Sequence, residues 1–313
     1  MRNQTRTVTE FMLLGFSGNK TVEVTVFTLF FISYTIALVG NLTIITLVWC
    51  DNSLHTPMYI FIANLSFLEA IYTTAVIPKM LVNLMSQRKS ISFNSCILQA
   101  YIYFSAGSTE FFLLAVMSFD RYIAICNPLR YASIMSTHFC LQLTAASWMW
   151  GFFSVIPPAL LVGELPFCGP NAINHFFCDV DPLLKLACFE TRNIAMINIF
   201  NAALLHLSSL MVTGVSYMFI ISTVVRIPSA EGRQKALSTC ASHLIVVTLF
   251  YGSSIFIYVQ PQKRHSLDLN KVASILNTVI TPLLNPFIYS LRNKQVKEAL
   301  ERLTRRKISP SEF

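Results

Sequence analysis

Charge is what this chain has least of. Only 12% of its 313 residues are Asp, Glu, Lys or Arg, while 54% are hydrophobic and 25 are Phe. A soluble domain so poor in charge would expose large apolar patches, so lipid is the expected solvent. Catalytic signatures are missing too. There is no HExxH, no GxSxG elbow and no phosphate-cradling GxxxxGK[ST], so the chain is not read as an enzyme. No two of the eight Cys have the CxxC spacing of a zinc or redox site, and none follows Arg292, which excludes a palmitoyl anchor there. Residues 1–20 lack the apolar core of a cleavable signal, so the first membrane helix is expected to act as the insertion signal. Repeats, low-complexity tracts and linkers are absent.

What the chain has is seven apolar runs, at 24–49, 58–84, 97–124, 140–162, 195–225, 237–259 and 272–291. Each is long enough to cross about 30 Å of hydrocarbon as a helix. They are continuous rather than alternating, which argues against a barrel of strands. The expected fold is all-α, a seven-transmembrane helix bundle with a short amphipathic eighth helix. Three parts follow: an extracellular segment 1–23, the bundle 24–291 and a cytoplasmic tail 292–313. In that tail Val296, Ala299, Leu300 and Leu303 recur at helical spacing among basic residues, as in a helix lying on the inner leaflet. A solvated basic tail is the plainer alternative.

Charge alone orients the bundle weakly. With the N-terminus outside, 12 Lys/Arg fall on the cytoplasmic side and 11 opposite, but seven of the 12 crowd into 292–307. The net charge of +8 therefore reads as a surface for inner-leaflet lipid, not nucleic acid. Asn3-Gln4-Thr5 is a glycosylation sequon that also favours an outer N-terminus, and Asn19-Lys20-Thr21 is a second, nearer the membrane.

Two constellations carry chemistry. Residues 117–126 read MSFDRYIAIC at the exit of the third run, followed by Asn127-Pro128-Leu129-Arg130-Tyr131. Here Arg121 can be held by Asp120 or released to a partner, which suits a switch, or it can simply snorkel to anchor the helix end. Glu69 and Glu110 sit about mid-span on the second and third runs, Glu110 roughly 16 Å before Arg121. Two facing carboxylates cannot both ionise without a cation between them. The alternatives are a protonated, hydrogen-bonded pair, or an ion or proton relay in a transporter, although no inverted repeat is evident. Cys96, Cys168, Cys178 and Cys188 suffice for two disulfides in an oxidising compartment. A soft metal on His175, Cys178 and Asp179 is a rival use of that stretch.

Further strings occur in order: Gly40-Asn41; Leu54-His55-Thr56-Pro57-Met58-Tyr59; Asn64-Leu65-Ser66-Phe67-Leu68-Glu69; Ser216-Tyr217; KALSTCASHL at 235–244; and PLLNPFIYSLRN at 282–293. With MSFDRYIAIC, they resemble the signature of vertebrate olfactory receptors, a group of rhodopsin-like G-protein-coupled receptors, over nearly the whole chain. Phe119, Glu69 and Leu237 depart from the Tyr, Asp and Phe of many relatives.

The resemblance implies disulfides Cys96–Cys178 and Cys168–Cys188, which would make the loop a lid over the bundle mouth. It implies a sodium-like ion at Glu69 and Glu110, with Asn41 and Asn285 as neighbours. It also implies a switch of Asp120, Arg121, Tyr122, Tyr217, His243, Asn285, Pro286 and Tyr289, in which Arg121 leaves Asp120 for the Tyr217 hydroxyl as the fifth and sixth helices rearrange. His243 supports that state, senses protons or is merely satisfied between helices. Pro286 offers a site for bending. Coupling to a stimulatory, olfactory-type G protein, raising cyclic AMP, and a plasma-membrane location follow from the family. A ligand pocket is expected from Tyr103, Phe104, Gly107, Ser108 and Phe111 on one face of the third helix. Asn198, Asn201, Ala202, Leu205 and His206 join from the fifth, Tyr251, Ser254, Ile255 and Tyr258 from the sixth, and Ile275 and Thr278 from the seventh. Plain helix packing is the alternative for each. These faces carry no Lys or Arg, so a small, neutral, volatile organic ligand is expected.

Overall fold

Long apolar runs in a chain without edge-protecting charges fold as helices that satisfy their own backbone. The structure, a computed structural model, describes residues 8–16, 18–168, 170–259, 266–291 and 294–308. Among these, seven helices are long and apolar enough to cross a membrane. They are α1 (Lys20–Cys50), α2 (Pro57–Met85), α3 (Phe93–Cys126), α5 (Thr137–Gly163), α7 (Arg192–Arg226), α8 (Ala230–Val259) and a seventh span. That last span is built from α9 (Ser266–Ile275), a π-helical turn (Leu276–Ile280) and α10 (Thr281–Leu291). Short helices α4 (Tyr131–Ile134) and α6 (Val180–Leu184) lie in loops, and α11 (Lys294–Ile308) follows the bundle.

Burial follows position. α1 buries only Ala37, Asn41, Ile44 and Leu47, a single stripe at helical spacing. Its Leu29, Phe31 and Val39 face outward, as do Phe67, Phe153, Phe200 and Met211 on other helices, forming the surface that lipid covers. α3 is the central post, buried along its length from Cys96 to Ile123. Gly151 lets α5 approach it closely: a Cβ there would lie 2.1 Å from the Thr109 hydroxyl oxygen.

The seventh span is irregular because of its prolines. Pro282 has no N–H to give Thr278, and Pro286 has none to give Pro282. The first lack accompanies the π turn, across which the Thr281 hydroxyl donates to the Leu276 carbonyl at 3.0 Å. The second frees the Pro282 carbonyl, which accepts from Asn41 Nδ2 at 3.3 Å. Gly40 permits that approach, since a Cβ on it would meet Pro286 at 3.0 Å.

At the other end of α1 the segment read as plain extracellular chain forms a strand. β1 (Glu10–Leu13) is the middle of a three-stranded sheet, antiparallel to β2 (Ser90–Ser92) and parallel to β3 (Ala172–Ile173). Phe11 is fully buried against Phe93 and Phe167. Lys271 Nζ ties the sheet to α9 by donating to Gly15 O at 3.1 Å and Asn174 Oδ1 at 2.8 Å. Asn19 N-caps α1, its Oδ1 accepting from Val22 N at 3.0 Å. Asn3 lies outside the described residues.

α11 packs Val296 and Ala299 into the bundle, leaves Leu300 exposed and holds the first inner loop. Arg302 donates to Asp51 Oδ2 at 3.0 Å and to the Ser53 hydroxyl at 2.9 Å.

Candidate functional site

Three centres stack along the axis. At the top, the loop between α5 and α7 is fastened twice, by Cys96–Cys178 with Cα atoms 5.4 Å apart and by Cys168–Cys188 at 5.1 Å. Gln99 adds a third tie: its Oε1 accepts from Cys178 N at 3.0 Å while its Nε2 donates to Ala75 O at 2.8 Å. With Cys178 committed to sulfur, the soft-metal use of His175, Cys178 and Asp179 loses its thiolate. No metal-holding group of three His, Cys, Asp or Glu occurs among the described residues. His175 instead stacks on Phe176 and meets Phe177 edge-on. Burial, and then nearby Lys271, hold its imidazole down at about 3, so it is neutral. Desolvation, and then Asp181, push the Asp179 carboxyl up to about 7.

Under this lid lies a cavity of about 350 Å³. Tyr103, Phe104, Gly107, Ser108 and Phe111 of α3 line it, with Asn198, Asn201, Ala202, Leu205 and His206 of α7 and Ser254 of α8. A Cβ on Gly107 would meet nothing within 4 Å, so it adjoins open space. Four expected residues do not line it. Tyr251 packs edge-on against Phe111 with ring centres 5.1 Å apart. Ile255 turns outward and is 43% exposed. Ile275 packs in the apolar cluster with Val76 and Phe177. Thr278 is a step behind the wall, its hydroxyl 3.1 Å from that of Tyr103. The side chain of Tyr258 lies outside the described residues.

Helix periodicity missed several lining residues: Tyr72 on α2, Asn277 in the π turn, and His175, Phe177, Asp179, Asp181 and Lys185 in the loop. Lys185 puts one cation at the exposed rim, where the helix faces offered none. Glu110 also lines the cavity. Three and seven residues from Gly107 and Tyr103, it falls on the same face of α3 by spacing alone.

Beneath the cavity, Glu69 and Glu110 are both fully buried. Asn285 Nδ2 donates to Glu69 Oε1. Five buried oxygens have no hydrogen-bond partner: Glu69 Oε2, Glu110 Oε1 and Oε2, Asn41 Oδ1 and Asn285 Oδ1. They can only accept unless a carboxyl is protonated, so the cluster is short of positive charge.

At the inner end, Asp120 is buried and doubly held. Arg121 donates to its Oδ2 from Nε at 3.0 Å and Nη2 at 2.5 Å, and the Tyr131 hydroxyl on α4 donates to Oδ1 at 2.7 Å. The Tyr217 hydroxyl is 2.7 Å from His243 Nδ1, and His243 Nε2 is 3.1 Å from the Leu114 carbonyl. A carbonyl only accepts, so Nε2 carries the proton and Nδ1 accepts from Tyr217. One imidazole thus ties α7, α8 and α3 together. Arg121 is thus held by Asp120, and Tyr217 by His243. Tyr122 packs between Phe119 and Phe219. Tyr289 is buried on α10 with a hydroxyl that meets no partner.

Comparison with known proteins agrees with this geometry. A family model described as olfactory receptor matches residues 30–307. Human olfactory receptor 6F1 is 51% identical over 291 residues, covering 93% of this chain and 94% of the relative. Mouse olfactory receptor 6E1 is 52% identical over 299 residues, 95% of each chain. Human olfactory receptor 6T1 is 51% identical over 293 residues, 94% of this chain and 91% of the relative. The transporter alternative finds no support there. A bundle with a lidded cavity at one end, an Asp-Arg-Tyr lock at the other and half its residues shared with these relatives belongs to the olfactory receptor family: the chain is a seven-helix odorant receptor of the G-protein-coupled class.

Proposed function

We propose that this receptor sits in the plasma membrane with its N-terminus outside and takes a small, neutral, volatile organic molecule into the cavity. Activation then passes to a stimulatory, olfactory-type heterotrimeric G protein, raising cyclic AMP. The observation that carries the reading is the roofed, largely aromatic cavity at the end opposite the Arg121–Asp120 lock. Disulfides cluster at the cavity end, as an oxidising exterior requires, whereas the free thiols Cys126, Cys140 and Cys240 lie toward the other.

The mechanism is a population shift. A ligand against Phe111 presses on Phe250, whose ring centre is 4.6 Å away on α8. The same helix carries His243, so its displacement loosens the bonds to Tyr217 and Leu114. Arg121 is then free to exchange Asp120 for the Tyr217 hydroxyl, opening the inner face to the G protein.

The residues around Glu69 fit a sodium-like cation, since five buried acceptor oxygens lack donors. Glu69 and Glu110 would hold it, with Asn41 and Asn285 beside them. When bound, such an ion balances one carboxylate charge and favours the closed bundle.

Cyclic AMP in cells expressing the chain, against a panel of neutral and acidic volatiles, tests the reading with Arg121→Ala alongside. A ligand-dependent rise lost in the variant at equal surface level supports it. For the ion, Glu110→Gln is expected to change basal activity and abolish sodium dependence; an unchanged sodium response overturns that part.

A further inference from the structure

Ile199 belongs to two surfaces at once. It is 57% exposed on the face of α7 that lipid covers, among Met196 and Phe200, yet it also lines the cavity. One side chain therefore separates cavity from bilayer. The neighbouring helix α5 completes that part of the wall with Pro158, Ala159 and Val162. Ala159 lies about 6 Å from the outer end of α5 at Gly163, within the outer leaflet. Prolines shape this seam. Pro157 and Pro158 have no N–H to give the carbonyls of Phe153 and Ser154. The Ser154 carbonyl instead accepts from Asn201 Nδ2 at 3.1 Å, a bond that crosses from α7 to α5 and latches the inner edge of the seam. Nearly one turn further out, Asn198 Nδ2 is buried and meets no partner among the described residues, so it makes no second latch.

The aqueous mouth is the harder way in for an apolar molecule. Two disulfides and Gln99 hold the loop over it, and Asp181 and Lys185 put charge at its exposed rim. A neutral volatile gathers in the bilayer instead, since each methylene favours an apolar medium over water about fourfold. On the proposal that this is an odorant cavity, we infer that its ligands enter sideways from the outer leaflet, through a portal between α5 and α7 closed by Ile199, with the Asn201–Ser154 bond as its inner sill. The route itself selects neutral molecules, because a charged one does not dissolve among lipid tails. The cavity then meets the ligand at its concentration in the membrane, and access improves with chain length until the molecule outgrows about 350 Å³.

The test is a reporter thiol inside the cavity. Ser108 lines it from α3 and is 8% exposed, so Ser108→Cys supplies the thiol. The full-length variant in lipid nanodiscs is treated with N-ethyl-, N-butyl- and N-hexylmaleimide, or with the permanently charged 2-(trimethylammonium)ethyl methanethiosulfonate. Mass spectrometry reads modification at that position. The maleimides are expected to react faster as the alkyl chain lengthens. Adding Ile199→Trp is expected to slow them at least about tenfold and leave the charged reagent, confined to the mouth, unchanged. Ala159→Phe fills the seam from α5 and should act alike, which keeps the test decisive if Ile199→Trp does not fold. Lys185→Trp, at the rim, should slow the charged reagent alone. Maleimide rates untouched by the seam variants overturn the inference, as does an equal slowing by Lys185→Trp. The labelling needs no odorant response, so its failure is distinct from failure of the receptor reading, which cyclic AMP decides.

Discussion

Asn41 Nδ2 on α1 donates to the carbonyl oxygen of Pro282, 241 residues later, the acceptor that Pro286 leaves without its helical donor. Gly40, Asn41, Pro282 and Pro286 are therefore one device: the bare glycine admits the bend, and the amide satisfies the group it exposes. Asn41→Ala leaves that carbonyl buried and unpaired, at a cost of about 1–3 kcal/mol. The melting temperature of the purified receptor should fall, and Gly40→Val should lower it further by pushing α1 off Pro286.

Tyr131 acts on the lock without being part of the Asp-Arg-Tyr tripeptide. Its hydroxyl occupies Asp120 Oδ1 while Arg121 holds Oδ2. Tyr131→Phe removes one of two partners of a fully buried carboxylate, destabilising the closed form. Basal cyclic AMP is expected to rise severalfold, and a level equal to wild type at matched expression would count against this role.

Gly107 borders free space, so a side chain there consumes ligand volume rather than packing. Gly107→Val should preserve surface expression yet weaken responses to the larger members of any ligand series more than the smaller. Gly151→Ala provides the contrast, because its Cβ would strike Thr109; loss of surface expression is expected.

The lid holds two titrating groups of opposite sense. His175 sits at about 3 in the fold against an ordinary 6.5, so the unfolded chain takes up a proton first and acid weakens the lid between those values. Asp179 sits at about 7 against 3.8, so it keeps a folded-state proton and rising pH weakens the lid across that window. From about pH 4 to 6.5 the two slopes offset. Wild-type melting temperature should be nearly flat there. Asp179→Asn should make it fall with acid below about pH 6.5, and His175→Gln should make it fall as pH rises from about 4 to 7.

The seven spans were legible because unbroken apolar runs have one solution in lipid. Their ends were not: α8 begins at Ala230 rather than 237, since its first turns are polar and project beyond the hydrocarbon. β1 was invisible because a four-residue strand gets its pairing from loops 80 and 160 residues away. The π turn accompanies Pro282, whereas the sequence reading takes only Pro286 as a site for bending. Eleven cavity residues were found by helical spacing, while the loop contributors follow no period. The sequence reading places Glu110 in the carboxylate pair alone, whereas in the fold it also lines the cavity.

The order of strands in the outer sheet carries a temporal consequence. β1, made first, lies between β2 and β3, and β3 is made only after α5. The N-terminal segment can therefore pair with β2 once α2 has been made, but its other edge must wait until more than half of the chain has been synthesised. Closure of the mouth is a late step in biogenesis, and a receptor whose sheet is complete is one whose first four spanning helices have already been made.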